Sequence, residues 1–561
     1  MIEARASRSP SARKSDYDVV VIGSGGAGLS AAIGAAETGA RVAVLTKGSL
    51  LYSGATASAN FSYCATIGYA GTADDNSSYA RDILASGRGL TDPELAEVFA
   101  SEAFTEARRL ERWGLGWTRK DDGNLSVATF GGHSFPRAIH VGLRTGKALM
   151  TILGKVARTG NIDLREHTFV NEVTRDDGHV SGVSAIDLSS GERFHLGAPA
   201  VVIATGGSLA MYDFQTNPEE LTGDGFALAF EAGAQLVDME FIQAYPTVFI
   251  APAAARGLHY PTGRLLGYGG RLLNAAGEPF FHRHEKKPIE HATRDELSRA
   301  IALEVASGRG TVHGGIVVDT SEVSPQRLAD VHFESYFKDI GLDLSSGVQH
   351  VMAGPHFNLG GIRIDTRGAT SVAGLYAAGE VAAGLHGANR LTGTALPEVL
   401  VMGRRAGLAA AEHAGTTDRF GTDKSHFDDG NCNGSTGASE VGVVTHNFRK
   451  MLQEHASILK TRDSLDRAMS EIDRVRRIEL PRLKPRIGKT HFDAERLQIL
   501  QLRSMTVSAR LHCVAAAIRT ETRGAHIRLD YPVESDAWRQ HIVLTKRGDD
   551  IAIDYTERAC L

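Results

Sequence analysis

Cysteine is scarce: the 561 residues hold four, Cys64, Cys432, Cys513 and Cys560, with no C-x-x-C spacing among them. Thiols scattered in this way build neither a zinc site nor an iron–sulfur cluster within the chain, so no metal centre is expected, and they fit a reducing cytoplasm. Charge of one sign is scarce as well. Lys+Arg 61 against Asp+Glu 66 leaves a formal net charge of -5, without the basic field that a nucleic-acid partner requires. No stretch reaches the ~20 uninterrupted apolar residues of a membrane span. The opening MIEARASRSPSARKS lacks the apolar region of a secretory signal. What is plentiful is glycine, 62 residues in a chain that is 42% hydrophobic and 23% charged. That composition is globular, with many tight turns and close backbone approaches, in a chain long enough for more than one domain.

Residues 1–15 are expected to be a flexible tail. The run that follows Asp16, YDVVVIG, is continuously apolar and β-branched, as in a strand buried on both faces of a parallel sheet. GSGGAGLSAAIGAAETG then carries apolar residues at helical spacing up to Gly39, and RVAVLTK is a second apolar strand, completing a βαβ unit. APAVVIATGG and VAGLYAAGE repeat the pattern of an apolar strand running into small residues and are expected in the same sheet. The mixed, Arg- and His-rich text between them predicts an inserted domain. From Leu396 to His413 an Ala/Gly-rich helix is expected, then an exposed linker over 414–440, then helical repeats of apolar residues at i, i+3, i+4 and i+7.

Gly23-Ser24-Gly25-Gly26-Ala27-Gly28 is G-x-G-x-x-G placed directly after a strand and opening a helix, the context in which that motif binds a dinucleotide. Glycine serves the turn, keeps side chains from the pyrophosphate, and the helix N-terminus stabilises phosphate charge. One departure is plain. At the end of the second strand, where an acid normally takes the ribose hydroxyls, stand Thr46 and Lys47.

With these motifs, and with SGATAS, FGGHS, TNPEELTGDG, DMEFIQAYPT, TRDELSRAI, HFNLGGI, GLYAAGE, HGANRLTGTAL and ETRGAHIRLDYP in that order, the chain resembles the flavoprotein family of succinate dehydrogenase, fumarate reductase and L-aspartate oxidase. The resemblance implies an α/β fold: a Rossmann-type FAD-binding domain (16–240 and 351–413) interrupted by an α+β capping domain (241–350) and followed by a C-terminal helical domain (441–561). It also implies FAD as cofactor. Gly23, Gly25 and Gly28, with Gly26 and Ala27 in the same turn, would face the pyrophosphate. Thr46 and Lys47 would face the ribose, and Ser53, Gly54 and Thr56 the phosphate and flavin side. Val170 would meet the adenine, Thr205 and Gly206 would line the dinucleotide, Asp224 and Glu380 would reach the polyol region, and Ala395 and Leu396 the isoalloxazine. SGATAS carries no histidine of the kind that respiratory members join covalently to FAD, so the cofactor is expected to be non-covalent.

For the reacting centre, the resemblance gives His356 and Arg390 as holders of one substrate carboxylate, and Arg294 as proton donor. The implied reaction is hydride transfer between flavin N5 and a C–C bond of a small carboxylate, with proton transfer at the adjacent carbon. Three departures bear on the substrate. Tyr245 stands where H-P-T has its histidine, and of the polar residues in the capping-domain T-E-x-x-R-G-E-G only Thr262 survives, so the second-carboxylate position and the relay are both altered. Phe130 stands where aspartate oxidases carry a glutamate, which leaves an ammonium without a charge partner. The alternatives are an L-aspartate oxidase-like flavin oxidase and an electron-transfer flavoprotein subunit of a larger complex. With no second redox centre in the chain, an iron–sulfur subunit or another electron acceptor is the expected partner.

Overall fold

In the computed structural model the described residues are 15–59, 62–68, 73–330, 337, 344, 347–417, 440–485 and 494–561. Nearly all of the expected tail, and most of the expected linker, lie outside them.

The run VVVI forms the strand Val19–Ile22, buried at every position. Its apolar continuity follows from its place at the centre of a five-stranded parallel sheet. The order is Leu375–Ala377, Ala200–Ile203, Val19–Ile22, Val42–Leu45, Ile162–Arg165, and a central parallel strand covered on both faces has no polar side to offer water. Two helices on one face meet almost backbone to backbone. A Cβ on Gly403 would lie 2.6 Å from the Ala27 carbonyl oxygen, and one on Gly407 would lie 2.0 Å from that of Ala31. This contact seats the helix Ala395–Thr416 against the helix Gly26–Ala36, which brings Ala395 and Leu396 beside the glycine turn.

The inserted segment builds its own antiparallel sheet, in the order Ile242–Ala251, Val348–Asn358, Ile316–Asp319, Arg271–Leu273. Helix Arg294–Glu304 covers it through a core that includes Phe249, Phe280, Leu297, Ile301 and Val351. The strand Val348–Asn358 runs past residue 350, so the sheet continues beyond the expected 241–350 span. Where Ile242–Ala251 pairs with Val348–Asn358, the register shifts between Gln243 and Ala244 and again between Tyr245 and Val248. Such irregularities re-aim side chains beside active sites, and here they lie next to Tyr245.

Helices Val441–His455, Arg462–Arg474 and Ala494–Ile518 interlock through Phe448, Leu452, Leu465, Ile472, Leu502 and Met505. Beyond them the chain closes on a hairpin, His541–Arg547 with Asp550–Thr556. Its first strand pairs with Leu236–Val237 of the FAD-binding segment, so the helical part is stitched back to the sheet region. None of the described helices is long and apolar enough to cross a membrane.

Candidate active site

The end of Val19–Ile22 opens into Gly23, whose φ of +106° only glycine adopts without strain. A side chain there would run into Ala204, since a Cβ would come within 2.3 Å of its carbonyl oxygen. At Gly25, the N-cap of the following helix, the nearest atom to an added Cβ is Thr56 Oγ1 at 3.8 Å. The space over Gly25 is open, and it belongs to a cavity of ≈ 680 Å³. Gly28 does not line that cavity. A Cβ there would fall 1.8 Å from the Gly23 carbonyl oxygen, so its service is helix-to-strand packing rather than the pyrophosphate contact expected for it.

The same cavity is lined by Gly23, Gly25, Gly26, Ala27, Thr46, Lys47, Ser53, Gly54, Thr56, Val170, Thr205, Gly206, Asp224, Glu380, Ala395 and Leu396. Residues hundreds of positions apart in the chain thus share one wall. Lys47 Nζ donates to Thr222 Oγ1 at 2.9 Å and pairs with Asp224. Two residues expected at separate parts of the cofactor are therefore in mutual contact. Glu380 accepts from the Asn358 amide at 3.0 Å, and burial raises its carboxyl to about 7.

The far end of the cavity collects the expected chemical residues. Arg390 is 5% exposed, with its guanidinium centre 4.3 Å above the Phe357 ring. Its loop is pinned by Gln243, whose Nε2 donates to the Arg390 carbonyl at 3.0 Å, and by His133, whose Nε2 meets the Thr392 carbonyl at 2.8 Å. Burial, with the Arg294 charge beside it, lowers Arg390 to about 9, so it remains a cation at neutral pH. Arg294 occupies the first position of helix Arg294–Glu304, capped by Thr293 and Glu296. That is the positive end of a helix dipole, an unfavourable place for a cation. Its guanidinium lies 5.0 Å over the Tyr245 ring, and burial holds its pKa below the ordinary arginine value. Arg294 NH1 and Arg390 Nε are buried and have no hydrogen-bond partner.

His356 meets Thr216 Oγ1 at 2.8 Å and His259 Nε2 at 3.2 Å, both through Nδ1. Burial first, then His259 and the two arginines, drives its pKa well below the ordinary histidine value. Phe130 and Tyr245 also line the cavity. Thr262 lies on the helix Thr262–Gly267, but its side chain falls outside the described residues. His259, Thr216, Gln243 and Arg88 were not singled out in the sequence. Arg88 donates to Thr293, Asp295 and Glu296 at 3.3, 2.9 and 3.1 Å and so braces the helix end that carries Arg294.

A family described as FAD binding domain matches residues 18–396, and one described as fumarate reductase flavoprotein C-term matches 445–559. The chain belongs to the succinate dehydrogenase, fumarate reductase and L-aspartate oxidase flavoprotein family. The CoM/CoB fumarate reductase chain of Methanothermobacter marburgensis is 34% identical, over 95% of this chain and 97% of that one. L-aspartate oxidase of Streptomyces coelicolor is 33% identical, over 95% and 92%. The solved structure of Mycobacterium smegmatis Sdh1 in complex with UQ1 superimposes with a TM-score of 0.87 at 31% identity, covering 97% of this chain and 94% of that chain.

As a member of this flavoprotein family the chain is an FAD-dependent oxidoreductase, and its cavity suits the cofactor. The volume lies within the ~300–1,000 Å³ range of ligand sites. Gly25 leaves a bare backbone at a helix N-terminus, and Thr205 Oγ1 is buried on the cavity wall without a partner. Among the described residues no cluster of three or more His, Cys, Asp or Glu could hold a metal.

Proposed function

We propose that this flavoprotein transfers a hydride between non-covalently held FAD and the C–C bond of a small carboxylate of the fumarate/succinate kind. The observation that carries this reading is the pair of buried guanidiniums, Arg294 and Arg390, each with a buried nitrogen (NH1 of Arg294, Nε of Arg390) that lacks a partner, at one end of the FAD-sized cavity. Two buried guanidiniums with no carboxylate hydrogen-bonded to either are costly, and an anionic occupant reduces that cost. FAD, when bound, supplies hydride chemistry. The glycine turn, Thr46, Lys47, Ser53, Thr56, Val170, Thr205, Asp224 and Glu380 would hold it, with Ala395 and Leu396 at the flavin end.

In this reading Arg390 grips one carboxylate with its planar fork, and His356, kept neutral by burial and by the cations beside it, adds a hydrogen bond from the same side. The carboxylate so held draws charge from the adjacent carbon. Arg294 carries the proton for the neighbouring carbon; its depressed pKa reduces the cost of giving that proton up. Phe130 in the cavity wall gives an ammonium no charge partner, which favours this reading over an amino-acid oxidase. Electrons then pass to or from an external partner, an iron–sulfur subunit being the one proposed, and the free, buried thiols Cys64, Cys513 and Cys560 accord with a cytoplasmic location.

The test is a screen of unsaturated mono- and dicarboxylates, and their saturated counterparts, against the purified yellow protein by flavin absorbance. A substrate-dependent change that Arg294→Lys abolishes while FAD remains bound supports the proposal. Undiminished electron transfer in Arg294→Lys would point instead to an electron-transfer subunit, and peroxide formation in air to an oxidase.

A further inference from the structure

Two histidines from different parts of the cap touch at the substrate end of the cavity. His259 precedes the helix Thr262–Gly267, and its Nε2 lies 3.2 Å from Nδ1 of His356 on the strand Val348–Asn358. The rings stand perpendicular, with centroids 4.9 Å apart. Tyr245 closes the third side, its ring 4.6 Å from that of His259 and 5.3 Å from that of His356. Arg294 lies over the Tyr245 ring, its guanidinium 5.0 Å from the ring centroid. All four residues line the cavity.

The titratable groups facing His259 are thus His356, Tyr245 and Arg294, with the Thr216 hydroxyl beyond His356 and Arg390 acting on His356 through space. None of them is an acid. Burial and the Arg294 charge hold His259 down to about 4, so in the empty cavity both rings are neutral at pH 7. Across a contact of this length one ring nitrogen donates and the other accepts, and a single proton serves both. Thr216 and His259 both meet Nδ1 of His356, which leaves Nε2 of His356 for an occupant.

The charge count decides what that occupant is. A monocarboxylate on Arg390 leaves the Arg294 guanidinium as a buried cation without a counter-charge, whereas a dianion answers both arginines. The second negative group then falls beside the histidine pair and Tyr245, and it offers His259 the acid partner that the protein withholds. We propose that His259 is a specificity-determining residue: with Tyr245 it holds the far carboxylate of a dicarboxylate, and it takes one proton from solvent as that ligand binds. This rests on the reading above that a carboxylate seats on Arg390 and His356. Because the protonated form of the site is the binding form, affinity rises as pH falls, roughly tenfold per unit while His259 is neutral in the free protein and charged in the complex.

The experiment uses the FAD-loaded protein with malonate as dicarboxylate probe and propionate as monocarboxylate probe, each titrated by flavin absorbance between about pH 7 and 8.5, over which both probes are essentially ionised and a tenfold-per-unit slope is readable. Calorimetry in phosphate and in Tris counts protons taken up. The expected result is tighter malonate binding at lower pH with close to one proton absorbed, and a pH slope for propionate much smaller than that for malonate. His259→Gln keeps a polar group but cannot charge. It should weaken malonate at least tenfold near pH 7 and flatten its slope, with a much smaller effect on propionate, which His259 reaches only through His356. The wild-type proton count stands as a measurement even if that variant folds poorly. Malonate binding with no proton uptake, equal affinity for the two probes, or a His259→Gln protein with an unaltered slope overturns this proposal alone. If neither probe perturbs the flavin of the wild-type protein, the carboxylate reading fails together with it.

Discussion

Replacing Arg390 should raise or preserve stability while removing activity, and the opposing signs are what make the experiment informative. The side chain is 5% exposed, stacked 4.3 Å over Phe357, and its Nε has no partner. In the empty protein it is a buried cation over a ring face, with Glu398 and Glu380 acting on it only through space. Arg390→Met fills the same volume without charge. Exchanging buried charge for a well-packed apolar group is commonly neutral or stabilising by about 1–4 kcal/mol, against which stands the loss of a cation–π contact worth up to about 2 kcal/mol. The apo-protein should therefore unfold in denaturant no earlier than wild type. Catalysis moves the other way. Two parallel charge-assisted hydrogen bonds to a carboxylate, at about 1.5–3 kcal/mol each, correspond to a loss of roughly 10²–10⁴ in kcat/KM. Arg390→Lys keeps the charge but not the planar fork and should fall between the two. Urea unfolding of the FAD-stripped proteins, beside steady-state kinetics of the loaded ones, reads both quantities. An Arg390→Met protein that unfolds markedly earlier and yet retains kcat/KM would refute the argument, since the arginine would then be a structural residue away from the chemistry.

The two glycines of the turn should separate folding from cofactor binding: Gly28→Ala places a methyl 1.8 Å from the Gly23 carbonyl oxygen and should give little folded protein, whereas Gly25→Ala, with 3.8 Å of clearance, should fold with a normal circular-dichroism spectrum and purify depleted of FAD absorbance. Arg519 is fully buried and joins Glu240, Glu521 and the carbonyls of Trp538 and Gln540, so Arg519→Met strands buried carboxylates and should cost about 3–5 kcal/mol in denaturant unfolding. Glu380, raised to about 7 by burial, holds its proton more tightly folded than unfolded. Its contribution to the apo-protein is therefore most favourable below the unfolded value of about 4.3 and declines as pH rises toward 7, so Glu380→Gln should exceed wild type by about 3 kcal/mol near pH 8 and by much less near pH 5.

How much of this was legible beforehand depends on where each signal is stored. The strand Val19–Ile22 and its neighbours were readable because a parallel strand buried on both faces must be apolar throughout, a one-dimensional property. The glycine turn was readable because its steric demands fall within six consecutive residues, although the division of labour between Gly25 and Gly28 needed coordinates. The closing hairpin carries its own signature in the apolar start of HIVLTKR and the two-residue turn Gly548-Asp549. Its pairing with Leu236–Val237 spans some three hundred residues and has no local trace. His259 is the sharpest case. It sits alone in GLHYPTG, with no periodic neighbour to mark its face, and its meaning arises only when the capping sheet brings it to His356, 97 positions away. The sequence showed a histidine missing at Tyr245; only the fold shows one standing beside that tyrosine, supplied by another segment. Where a site draws one group from each of several elements, losing a residue at its family position is weak grounds for denying its chemistry, because any chain crossing the same cavity wall can bring the group back.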